Sequence, residues 1–302
     1  MNPRLTPLAA ALSIAFVAPA QAQTADLDPV IVSATRFSEP DTNVAANVSV
    51  ITRDDIRNTP ARDLPSMLKG SAGVDVRALY GSLGIDSTID IRGFGETAGS
   101  NTLILLAGQR LNPIDMGSVS WSAIPLDSVQ RIEIMRGAGT VLYGDKATGG
   151  VVNIITDKSG APRAGATVGI GSYDTQTVDL NGAFGNETVY ANAFARYAHT
   201  GGWRENSQAE QAALSGRGGL YIGKGEAFID YAVYNDHSGL PGYLLSAAYQ
   251  NNPKTSTSPN DSQRSAGYRL RPGVALPITD TLRFEAEVSY DRQNQHANYA
   301  SF

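Results

Sequence analysis

Between Ile124 and Asp157 the chain reads IPLDSVQRIEIMRGAGTVLYGDKATGGVVNIITD, two strands separated by a run rich in glycine. Val129, Ile132 and Ile134 supply a buried face against which Arg131 and Glu133 alternate. Gly137, Gly139, Gly144, Gly149 and Gly150 fall where the backbone turns sharply or runs close to another segment. Val151, Val152, Ile154 and Ile155 then make a strand apolar on both faces, which suits a covered, central position in a sheet.

This run resembles the C-terminal signature of the plug domain of TonB-dependent outer-membrane receptors. The resemblance extends from about Asp28 to Asp157, through NVSVITRDDI, ARDLPSMLKGSAGVDV, IDIRGFG and LILLAGQRLN. One departure stands out: Ala107 precedes Gly108 where the family usually carries an aspartate. The resemblance implies an α+β plug domain followed by the first strands of a transmembrane antiparallel β-barrel, about 22 strands when complete.

The N-terminus fits export. Residues 1–22 read as a signal peptide, with Arg4 in the charged region, an apolar stretch from Leu8 to Ala20, and Ala20-Gln21-Ala22 as the cleavage site. That stretch is shorter than the roughly 20 residues a spanning helix needs. Cleavage removes one positive charge, taking the net charge from −5 to −6. No basic stripe is present, which argues against a nucleic-acid partner. The chain has no cysteine, so thiol catalysis and thiolate metal sites are excluded and stability must come from packing and sheet closure.

Past a turn-rich joint at Lys158-Ser159-Gly160-Ala161-Pro162 the pattern changes. Before it, Thr52 with Asp55 predicts a helix cap, and Leu64, Met67 and Leu68 followed by Gly70 predict a short amphipathic helix. Beyond it, alternation recurs, clearest where Leu282, Phe284, Ala286, Val288 and Tyr290 oppose Arg283, Glu285, Glu287, Ser289 and Asp291. The alternation alone fits a soluble sandwich as well; a polar lumen face opposite a lipid face with tyrosines near its ends, combined with the signal peptide and the plug-like first region, favours a membrane barrel. The 144 residues from Ser159 to Phe302 suffice for roughly seven strands, so the chain reads as the N-terminal piece of a longer receptor. The expected organisation is a signal peptide at 1–22, an N-terminal segment with the TonB box at 23–36, the plug at 37–158 and the start of the barrel at 159–302.

The family resemblance also implies sites. Leu27 to Arg36 resembles the TonB box, whose partner-binding residues here are Asp28, Pro29, Val30, Ile31, Val32, Ser33 and Ala34. Such a β-branched run can add a strand to the edge of a sheet in TonB, the energy-coupling partner. Only Gln23 to Leu27 precede Asp28 after cleavage, so transport without a separate signalling domain is expected. Arg92 and Arg136 match plug arginines that in relatives face barrel carboxylates and help lock plug to wall, which implies the same locking role here. Substrate contact is expected from Arg77 and Tyr80, from Met116 and Trp121, and from Tyr243 and Tyr249 on the long Gly239 to Ser262 connection.

Other chemistry finds no footing. Gly93 to Ala98 fits a dinucleotide fingerprint only loosely, and Gly144 to Gly150 has phosphate-loop spacing without the lysine and hydroxyl that should follow Gly149. His199, His237 and His296 are far apart in sequence and no HExxH or GxSxG is present, so no catalytic set, resident metal or cofactor is expected. The expected function is uptake of a scarce nutrient across the outer membrane, with that lipid as a second partner. A ferric siderophore leads, with cobalamin or haem or another metal chelate as the alternative. A barrel enzyme or adhesin would require a catalytic set, or the lack of plug and box.

Overall fold

The computed structural model describes residues 31–32, 39–40, 47–78, 82–114, 117–137, 139–279 and 281–300. The short strands β1 (Ile31–Val32) and β2 (Glu39–Pro40) pair antiparallel. The plug is built on five strands: β3 (Asn47–Ile51), β6 (Thr102–Leu106), β7 (Gln109–Arg110), β8 (Val129–Arg136) and β9 (Gly150–Thr156), in the order β3-β8-β9-β6-β7. Among the described strands only β6 and β9 run parallel. A second antiparallel pair, β4 (Val74–Ala78) and β5 (Ser87–Ile91), forms a separate hairpin.

The centre of the plug follows from the apolar run. Val151, Val152 and Ile154 on β9 and Ile132 and Ile134 on β8 are buried, with apolar clusters on either side of the sheet. The spacing from Val129 to Ile132 breaks strict alternation, and a register shift between Val129 and Arg131 absorbs it as a bulge. Glu133 is 0% exposed and sits among apolar neighbours because the Arg131 Nε donates to it at 2.8 Å. Gly150 is held to glycine by close approach, since a Cβ there would lie 2.5 Å from the Met135 carbonyl oxygen.

Helix α1 (Arg53–Asn58) begins at the expected cap: the Thr52 hydroxyl accepts from the Asp55 N–H, and the Asp55 carboxylate accepts from the Thr52 N–H. The Thr52 hydroxyl also donates to the Asp55 carboxylate, and this bond, with the one from the Thr52 N–H, holds the Asp55 carboxyl below the usual carboxylate range. Helix α2 (Leu64–Lys69) starts at a second capping box, Asp63 with Ser66, and buries Leu64 and Leu68. A four-residue helix, α3 (Thr140–Tyr143), lies in the glycine-rich run.

The wall is one antiparallel sheet of β10 (Arg163–Gly171), β11 (Thr175–Gly185), β12 (Val189–Thr200), β13 (Ala209–Ile222), β14 (Gly225–Gly239), β15 (Ser262–Pro277), β16 (Arg283–Glu287) and β17 (Tyr290–Asn298). The last two keep one register against β15 and are two halves of a seventh strand. The ladder lapses opposite Pro272, which accepts from the Val288 N–H but has no N–H to return.

Outward residues such as Val168, Leu180, Leu214, Ile229, Val233, Leu270 and Phe284 are exposed and form the lipid-facing band, with Tyr197, Tyr268 and Tyr290 toward one end. At that end the connections are longest, 201–208 and 240–261, whereas β13 and β14 are joined at the other end by two residues. Long loops mark the extracellular end of such a barrel. The inward face is not uniformly polar: Ala213, Ala232 and Tyr234 belong to the same apolar cluster as the plug core.

The two-residue turn between β6 and β7 places both Ala107 and Gly108 at positive φ, 50° and 86°. That conformation suits Asn-Gly or Asp-Gly, and alanine at the first position is strained. Ala107→Asn is expected to raise stability by about 1 kcal/mol, read as a higher thermal midpoint of the full-length receptor.

Candidate functional site

The site has three parts: the outer loops, the seam between plug and wall, and the N-terminal strand. In the outer loops Arg204 acts as a clamp. Its guanidinium donates to the Thr255 carbonyl at 2.9 Å, to Gly242 at 3.1 Å and to Pro241 at 3.3 Å. Asn206 donates to the carbonyls of Ser258 at 2.6 Å, Asp261 at 2.8 Å and Leu240 at 3.2 Å. The two loops are thereby tied into one body, over which α4 (Ser246–Asn251) projects Tyr249.

Between them lies an open cavity of about 270 Å³ lined by Trp203, Arg204, Pro241, Tyr243, Leu244 and Tyr249. Tyr243 is 79% exposed and Tyr249 57%. Such aromatic faces bind apolar or chelate surfaces with little entropy to lose. Trp203 and Arg204 were not singled out by the sequence reading. Their signal, Gly201-Gly202-Trp203-Arg204 between two alternating runs, is a lone tryptophan at a loop tip.

The plug side is less open. Arg77 is exposed on β4 and pairs with Asp75 at 3.2 Å. Trp121 lies in the plug core, 5% exposed, with its indole N–H donating to the Ser87 carbonyl at 2.7 Å. Tyr80 and Met116 fall outside the described residues.

At the seam, contacts to the upper wall are hydrogen bonds rather than ion pairs. The Ser120 hydroxyl donates to the Tyr234 oxygen at 2.7 Å and Ser122 to the Asp236 carboxylate at 2.6 Å. The Gln211 amide donates to the Leu83 carbonyl at 3.0 Å, and that of Gln263 to the Asp86 carboxylate. Burial pushes the Asp86 carboxyl above its usual range, while the Gln263 hydrogen bond works against the shift. Toward the other end, Asp157 pairs with Arg53 of α1 and Arg163 of β10, both at 2.8 Å, so the joint is anchored to plug and wall together. There Arg217 and Arg271 converge on Asp230, and Arg271 also reaches the Leu106 carbonyl at 3.4 Å.

Arg136 donates twice to the Ala72 carbonyl, at 2.6 and 2.9 Å, and to the Ser49 hydroxyl at 2.6 Å. Its guanidinium thus ties β8 to β3 and to the turn before β4, inside the plug. Arg92 is exposed at a φ of 78° and has no ion-pair partner among the described residues. Of the box segment, Ile31 and Val32 pair with Pro40 and Glu39, whereas Asp28, Pro29, Val30, Ser33 and Ala34 fall outside the described residues.

A plug seated against an antiparallel wall with an apolar outer band defines a plugged membrane-barrel receptor. Residues 40–151 match the TonB-dependent Receptor Plug Domain family. The Vitamin B12 transporter BtuB of Vibrio cholerae serotype O1 is 39% identical over 155 residues, 51% of this chain and 24% of that protein. The match spans about a quarter of that relative's length. Among solved structures, the unliganded ferric citrate transporter FecA superposes with a TM-score of 0.74 at 21% identity, covering 84% of this chain and 40% of that one. The ferric yersiniabactin uptake receptor FyuA from Yersinia pestis gives 0.70 at 16% identity, covering 84% and 42%. At these identities the likeness is one of fold. Residues 40–151 thus carry a plug domain of the TonB-dependent receptor type, and the strands that follow share the fold of part of such a barrel.

The clamp can be tested directly. Arg204→Ala is expected to lower the local opening free energy of 240–261 by roughly 2–4 kcal/mol, seen as faster amide exchange there with β12 to β14 unchanged. Arg204→Lys should restore little of it, because a single ammonium nitrogen cannot take the places of the two guanidinium nitrogens that reach these carbonyls.

Proposed function

We propose that the full receptor imports a large, scarce nutrient across the outer membrane, with the aromatic outer cavity as capture surface and the plug as the movable barrier. The observation that carries this reading is the asymmetry of the seam. Hydrogen bonds hold the plug to the upper wall at Ser120, Ser122, Gln211 and Gln263, while the apolar core centres on Ile132, Ile134, Val152 and Ile154 within the plug and takes Ala213, Ala232 and Tyr234 from the wall. A barrier that must shift without unfolding requires that division.

The leading substrate class is a ferric siderophore. The chain's fold neighbours FecA and FyuA are described as a ferric citrate transporter and a ferric yersiniabactin uptake receptor. Cobalamin is the second reading, favoured by the 39% identity to a vitamin B12 transporter. Tyr243 and Tyr249, with Arg77 on the plug, are the proposed contacts. Arg92 is proposed as a plug-to-wall locking residue, and Arg136 as a lock within the plug that keeps its strands together under load. Residues 1–22 are proposed to direct export, and TonB to pull on the segment from Asp28 to Ala34.

Purified full-length receptor titrated with ferric siderophores and with cobalamin separates the substrate classes. Tyr249→Ala together with Tyr243→Ala should weaken capture of the true ligand by roughly tenfold or more. Unchanged binding would remove the outer cavity from the capture site.

Energy coupling is tested at the box. Val32→Pro removes a backbone donor and restricts Ile31, so strand addition to a partner should fail while the plug core stays folded. Surface binding is expected to persist and energy-dependent uptake to be lost. Normal uptake at normal abundance would place coupling elsewhere.

A further inference from the structure

Two carboxylates meet the plug–wall seam from opposite sides at its outer end. Asp86 comes from the plug just before β5, and Asp236 from β14 of the wall. Asp236 is 5% exposed. Its Oδ2 accepts from the Ser122 hydroxyl at 2.6 Å, but its Oδ1 is closed off from solvent and has no hydrogen-bond partner among the described residues. The charge of Asp86 acts on this group.

The surroundings of the pair are polar, and the cations that line the adjoining space beside Leu83, Ser122 and Gln211, Arg62 and Arg196, form no ion pair with either carboxylate among the described residues; Asp63 lies there too, and Arg196 is paired with Asp179. Gln211 on β13 and Ser265 on β15 are the cross-strand partners of Asp236, and the Gln211 amide is directed to the Leu83 carbonyl. The Gln263 amide, also on β15, serves Asp86. Tyr234, two residues back on β14, accepts from Ser120. Asp291 on β17, which acts on Tyr234, is paired with Arg269. Neither Asp86 nor Asp236 forms an ion pair among the described residues.

An ionised carboxylate with one oxygen both dry and unbonded is a costly arrangement, and a second carboxylate nearby raises the cost. A metal ion would relieve it only with room for its ligands around Oδ1, and that oxygen is already covered to below the reach of a water molecule. A proton needs no such room. Nor does the lipid impose the burial. Val233 is the last apolar outward residue of β14, and Asn235 and His237 follow it outward, so Asp236 stands beyond the lipid-facing band.

We propose that Asp236 and Asp86 form a proton-binding site that latches the plug to the wall: the pair holds one proton, chiefly on Asp236, and loosens the seam when that proton leaves. The sign follows from linkage. A carboxyl whose value is raised in the folded protein, as burial does for Asp86, contributes stability that is full at acid pH and is lost as pH rises through the raised value. The pair titrates as a unit, with the second charge resisted by the first. The site rests on the reading that the plug moves, but its detection does not.

The test uses full-length receptor in detergent, by infrared difference spectroscopy over roughly pH 5 to 9. A carbonyl stretch of a buried protonated carboxylic acid is expected, titrating within the range and absent from Asp236→Asn. In Asp86→Asn the same band should titrate at lower pH. That substitution suits the position, since Asp86 has a φ of 52° and asparagine tolerates the left-handed region. It keeps the test decisive if Asp236→Asn does not fold. Thermal midpoints provide a second readout: the wild type should lose stability as pH rises across the titration, and Asp86→Asn should flatten that loss. No titrating acid band, or a band and a melting profile unaffected by either substitution, would overturn the site whether or not the receptor imports the proposed nutrient.

Discussion

The wall of this molecule faces lipid, where an unpaired backbone N–H or C=O has no water to turn to. Every other feature answers to that constraint. It forces the chain beyond Arg163 into one continuous antiparallel ladder, and it tolerates Pro272 only with a local lapse between β16 and β17. The ladder fixes which residues point inward, and those residues then need a cover. The plug supplies it. Ala213, Ala232 and Tyr234 of the wall complete the apolar cluster that begins at Ile51 and runs through Trp121, Ile132 and Val152.

A cover that also serves as a barrier meets opposing demands, and the residues divide them. Inside the plug the bonds are redundant: Arg136 joins three segments, Arg131 neutralises Glu133, and two capping boxes fix α1 and α2. At the upper seam each contact is a separate hydrogen bond from a serine or glutamine, exchangeable for water with little net loss once the surfaces part. Charge is concentrated instead at the joint, where Asp157 bridges Arg53 and Arg163. The plug is therefore tethered where the chain is continuous and more lightly held where it is not.

Most elements were legible in the sequence because they rest on short-range signals. The Thr52-Asp55 and Leu64-Leu68 patterns needed only neighbours three or four residues away, and the alternation of β10 to β17 needed only period two. The turn at Ala107 was visible as a departure from a motif, and its positive φ gives that departure a physical meaning. Long-range facts were hidden. Nothing local in Trp121 distinguishes a core indole bonded to Ser87 from an aromatic at a loop tip, because both sit in polar, turn-rich sequence. The parallel β6–β9 pair, the inward Tyr234 and the clamp of Arg204 on a loop some fifty residues ahead depend on folding topology.

The candidate site was legible in kind and less so in placement. Tyr243 and Tyr249 were found because a 22-residue connection between strands invites function, and they do line the outer cavity. The cavity owes its shape to Arg204 and Asn206, whose donors satisfy carbonyls that a loop of this length would otherwise leave to water. A polar residue that caps backbone carbonyls looks, in sequence, like any other loop arginine or asparagine. Organising an aromatic surface without burying it demands such carbonyl capping, since apolar packing would have consumed the very side chains that must stay exposed to meet a ligand.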